Sequence, residues 1–156
     1  MNKEVQSIIK SLNTVLNDQP WFGKSVYELL EEAGKLDVYK KPSKYSHSLI
    51  ELLYHMITWA EFTLASLRKA KKHEIDFIEN LDWREIDTTK HNWGKGIHEF
   101  KSANQSIISF LETQQDDLLN EIVEFRQYNM RFLLNGLIQH HIYHTGQIVY
   151  LAKLLK

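Results

Sequence analysis

Leu133-Leu134-Asn135-Gly136-Leu137-Ile138-Gln139-His140-His141-Ile142-Tyr143-His144-Thr145-Gly146-Gln147-Ile148 decides the fold, because its apolar positions keep a helical period. Leu133, Leu137, Ile148, Leu151 and Leu155 form one stripe of a closing amphipathic helix. Three of the chain's eight histidines fall within five residues of it. At 3.6 residues per turn, His140 and His144 stand about 40° apart around the axis and about 6 Å apart along it, both within roughly 40° of the stripe's centre. His141 projects toward the edge of the stripe. A buried imidazole without partners costs roughly 1 to 3 kcal/mol, so an inward pair needs a metal ion or a hydrogen-bond network. Two imidazoles one turn apart suit one ion.

Outward from this helix, the rest of the chain carries the same period. Val5, Ile8, Ile9, Leu12, Val15 and Leu16 make a first helix that ends at Asn17-Asp18-Gln19-Pro20. Ser25-Val26-Tyr27-Glu28 has the spacing of a capping box and Gly34 stands at a C-cap position, which predicts a short accessory helix over 25–33. A second long helix spans about 46–70 through Leu49, Leu53, Met56, Ala60, Thr63 and Leu67. Residues 73–91 lack a sustained period and read as a long structured connection, of a length that is often functional. A further helix covers about 94–113, residues 118–127 read as extended or partly helical, and the last helix begins near Asn129. Four long amphipathic helices in 156 residues make a single all-α domain, 1–156, with the architecture of a four-helix bundle.

Composition removes several classes of function. The chain has 19 basic and 20 acidic residues, with no like-charge block, so it lacks the electrostatic footprint of a nucleic-acid binder. No apolar run approaches the roughly 18 residues of a membrane span, and Met1-Asn2-Lys3-Glu4-Val5 has no signal-peptide core. A cytoplasmic location is the expectation. With no cysteine, there is neither a disulfide nor a thiolate ligand, and any thiol must arrive as substrate. A ferritin-like carboxylate centre fails because Glu-x-x-His does not occur.

In a bundle, a site is built from facing helices, so the pair on the closing helix needs a ligand from another. His55 is the candidate, mid-helix in Glu51-Leu52-Leu53-Tyr54-His55-Met56-Ile57-Thr58-Trp59. It lies on a flank roughly 120° from the aliphatic stripe, which leaves a polar residue at a helix edge as the alternative.

Three segments together resemble the DinB/YfiT-like superfamily of metal-binding four-helix bundles. They are Trp21-Phe22-Gly23-Lys24-Ser25-Val26, the helix from His47 to Trp59, and the closing helix from Arg131 to Ile148. The resemblance covers nearly the whole chain and implies a divalent metal ion held by one histidine of the second long helix and two of the last, which fall on His55, His140 and His144. His141 lies between two ligand positions and is not carried over. His47 reads as an end-of-helix or outer-shell residue, and Glu51 as an outer-shell carboxylate or, in preference, a solvated helix-face residue. His73, His91 and His98 belong to no motif. Three imidazoles leave open positions for water or substrate, and their softness suits zinc, nickel, iron or copper. The resemblance further implies transfer of a low-molecular-weight thiol, such as bacillithiol or mycothiol, to a small electrophile, with hydrolysis in other members. A homodimer is a separate, open expectation. The contrasting class is a non-enzymatic stress-response or interaction bundle whose metal is structural or absent.

Overall fold

Ser48 fixes the start of the helix that organises the molecule, Leu49–Leu67. Its hydroxyl accepts from the Glu51 N–H at 3.3 Å, while the Glu51 carboxylate accepts from the Ser48 N–H at 2.7 Å. This reciprocal cap satisfies two donors that have no partner inside the helix. Lys41 holds the same carboxylate at 2.7 Å. Glu51 is thus a capping residue and has no contact with an imidazole to orient.

The computed structural model describes Met1–Lys156. In chain order the helices are α1 (Lys3–Leu16), α2 (Val26–Ala33), α3 (Leu49–Leu67), α4 (Lys72–Glu79), α5 (Trp93–Glu112) and α6 (Met130–Leu154), with a 3-10 turn at Asp116–Asn120 before α6. The fold is all-α; the one pairing of β type is an isolated bridge between Ile122 and Asn129. Helix α3 packs on α5 and α6, and α1 packs on the same two helices. The four long helices therefore stand as the corners of a bundle, with α2 against α6 and α4 against α3. No helix is long and apolar enough to cross a membrane.

Local chemistry explains the boundaries. Ser25 and Glu28 form the expected capping box of α2, and the side chains of Asn92 and Asn129 cap α5 and α6 by accepting from Lys95 N–H and Phe132 N–H. Gly34 ends α2 at φ −64°, so its role is close approach rather than a left-handed turn. A Cβ there would stand 2.5 Å from the Trp93 indole nitrogen, and that N–H donates to the Leu30 carbonyl at 3.0 Å.

One segment departs from the sequence reading and one matches it. The 73–91 connection contains most of α4, which buries only Ile75 and so shows no period in its apolar residues. Residues 118–127 are partly helical and partly extended, as expected: Leu118 and Leu119 are buried in the 3-10 turn, Glu121 is extended, and Ile122 bridges to Asn129. The α4 segment matters for function. It covers α3 on a further side, and Leu52, His55 and Phe62 are buried despite lying off the main aliphatic stripe.

Candidate metal centre

Helices α3 and α6 lie side by side, and His55 on the first meets His140 and His144 on the second. Its Nε2 is 2.9 Å from His144 Nε2 and 3.0 Å from His140 Nε2, and one ligating atom from each ring falls within 4.8 Å of the other two. Metal–nitrogen bonds of roughly 2.0 to 2.1 Å place neighbouring nitrogen ligands about 2.9 to 3.4 Å apart. The spacing fits one ion.

The second ring nitrogens show why two of the three, His55 and His144, converge as acceptors. The Asp82 carboxylate accepts from His55 Nδ1–H at 2.5 Å, and the Gln147 side-chain carbonyl accepts from His144 Nδ1–H at 2.6 Å. Each partner fixes the proton of a neutral ring on Nδ1 and leaves the Nε2 lone pair bare. Two such lone pairs, 2.9 Å apart, repel unless a cation lies between them. A proton is a poor candidate. Burial lowers the His55 pKa against the opposing pull of Asp82, and lowers that of His144 against Gln147. Burial, reinforced by the neighbouring His144, His141 and His55, brings His140 down to about 3. His140 Nδ1 is itself buried without a partner. The donor set is neutral and convergent, with the bare Nε2 lone pairs of His55 and His144 facing each other, an arrangement compatible with a divalent metal ion.

His141 corrects the sequence projection. It is fully buried rather than at the helix edge; its Nε2–H donates to Asn104 Oδ1 of α5 at 2.9 Å, and its ring meets Phe100 edge-on at 4.8 Å. Helix α6 packs against α1, α2 and α3, so its buried arc is wider than one stripe. His141 faces α5, away from the centre.

Sequence reasoning missed Asp82, Trp83 and Gln147. The first two lie in the connection after α4, where length alone marked a place for function without choosing a residue; Gln147 lies three residues beyond His144 on α6. Trp83 is stacked between His55 at 3.8 Å and His47 at 3.9 Å. His47 thus touches the centre only through that indole. Trp83 adopts φ +48°, a left-handed conformation uncommon for a bulky side chain, and it leaves Asp82 and the indole both bearing on His55. His73 and His98 are exposed, while His91 accepts from the Asp87 N–H at 2.9 Å and packs edge-on against Tyr54.

No curated protein and no solved structure matches the chain. The sequence model of the DinB superfamily matches it over residues 23–148.

Proposed function

The chain belongs to the DinB superfamily, and from that premise we propose that His55, His140 and His144 hold one divalent metal ion at a catalytic centre for transfer of a low-molecular-weight thiol to a small electrophile. The observation that carries this reading is the convergence of three Nε2 atoms, with Asp82 and Gln147 setting the tautomers of two of them. An all-imidazole set suits zinc, nickel or iron. When bound, such an ion supplies Lewis acidity that lowers the pKa of a thiol or water at an open position.

The chain's own residues do the rest. Asp82 orients His55 and raises its basicity, as carboxylates behind ligating imidazoles do, and Gln147 performs the orienting part for His144. Trp83 covers one face of the His55 ring, which excludes water from that side. In the net reaction a carbon–sulfur bond forms, the S–H proton passes to solvent, and the leaving group departs with the bonding pair. No cysteine is present, so the sulfur is the substrate's.

Assay of protein loaded with zinc, nickel or iron across pairs of thiols and electrophiles tests the reading. Metal-dependent consumption of a thiol, lost in His55→Ala, is the expected result. Protein that retains one ion per chain and consumes neither thiol nor electrophile belongs instead with the non-enzymatic bundles.

A further inference from the structure

A groove of about 180 Å³ lies between α3 and α6, bordered at one end by the ligand-set residue His140. Trp59 and Phe62 line it from α3, Tyr128 from the segment just before α6, and Phe132 and Gly136 from α6 itself. Trp59 and Phe62 pack edge-on with ring centroids 5.2 Å apart, and Tyr128 and Phe132 are 5.1 Å apart. The Thr63 hydroxyl, also in the lining, is spent on the Trp59 carbonyl at 2.8 Å. The surface offered to a ligand is therefore mainly aromatic and aliphatic.

Gly136 leaves open space on the α6 side of the groove. A glycine inside a helix costs roughly 1 kcal/mol relative to alanine, and a Cβ placed there would meet no atom within 4 Å. No packing contact in the chain requires the glycine, unlike Gly34 and Gly96, whose added Cβ atoms would collide with Trp93 and Leu53. Its effect is to keep the groove open one turn of α6 from His140. The size is informative too: an apolar cavity of roughly 150 Å³ accepts a benzene ring.

We propose that this groove binds the apolar portion of the electrophile, a compact group of about one ring, and that Gly136 sets its size limit. The inference rests on the reading of His55, His140 and His144 as a catalytic metal centre, and the adjoining His140 puts the bound group next to the reacting position. Polar thiols are poor occupants of such a lining, because burying their polar groups without partners is costly. Aromatic walls favour edge-to-face or offset contacts with a ring.

The probe is 4-fluorotoluene, followed by ¹⁹F NMR with metal-free protein and with protein loaded with Co²⁺. Saturable binding is expected in both states, with the bound resonance broadened by Co²⁺. Gly136→Leu, which fills open space, should weaken binding at least tenfold while metal content stays unchanged. Phe132→Ala removes a lining side chain that is 66% exposed, hence outside the core, and should weaken binding several-fold in a folded protein. Non-saturable shifts, or an affinity indifferent to both substitutions, would overturn the groove. Metal content, measured separately, keeps the two readings apart. Ion bound without probe binding defeats the groove alone, whereas Gly136-dependent probe binding in a protein that takes up no metal upholds the groove and defeats the metal centre.

Discussion

Asp82 shows what a single residue adds to three histidines. Without it His55 loses both the acceptor that fixes its tautomer and the negative charge behind its ring. Outer-shell partners of this kind are worth roughly 10- to 100-fold in metal affinity, so Asp82→Ala should weaken metal binding by that factor in a competition titration, with the helices intact by circular dichroism. His141 makes the opposite case. His141→Ala empties a fully buried site and strands Asn104 Oδ1, a loss of about 2 to 4 kcal/mol in denaturant unfolding, yet the folded variant should keep its metal. The His140–His144 pair was legible in the sequence because i, i+4 spacing on one helix is a geometric statement, whereas His55 was singled out by the family resemblance rather than by its helical projection. Asp82 and Trp83 were not, since nothing in a linear pattern says which loop residue folds back on which ring; Gln147, three residues beyond His144 on α6, was within reach of the same spacing argument and was passed over.

Among the elements, those with repeated apolar positions announced themselves. Helices α1, α5 and α6 each bury a run at three- and four-residue intervals, and capping residues sharpened the ends. Helix α3 was harder to orient from sequence, because α4, α5 and α6 pack against it and bury more than one face. The flank of His55 is interior because α6 and the Asp82–Trp83 connection close over it. Helix α4, with one buried residue, carried no signal strong enough to read. The α3 cap is testable on its own. Ser48→Ala removes a hydroxyl that accepts from the Glu51 N–H and should cost about 1 kcal/mol, seen as a lower melting temperature at unchanged metal stoichiometry. Loss of metal in a folded Ser48→Ala protein would tie the cap to the centre, which the geometry does not.

For the molecule as a whole, buried neutral histidines couple stability to pH. The folded-state pKa values of His140 and His141 lie at about 3, held down chiefly by burial, whereas an unfolded histidine titrates near 6.5. As pH falls through about 6.5 the unfolded chain takes up protons that the folded chain does not. The metal-free protein should thus be most stable above that pH and lose stability progressively toward about 3. A metal-free melting temperature flat from pH 7 to pH 4 would contradict this. The same depressed values delay proton competition for the ion, so metal should persist below the pH of about 6 at which ordinary histidine ligands begin to fail.

The central claim is that three histidines from two helices hold one ion, and elemental analysis of the purified protein and four alanine variants tests it most directly. One divalent ion per chain is predicted for the wild type and for folded His141→Ala, with none retained by His55→Ala, His140→Ala or His144→Ala. A wild-type protein that purifies without metal and takes up none when zinc, nickel or iron is supplied, or equal retention across all four variants, would contradict it.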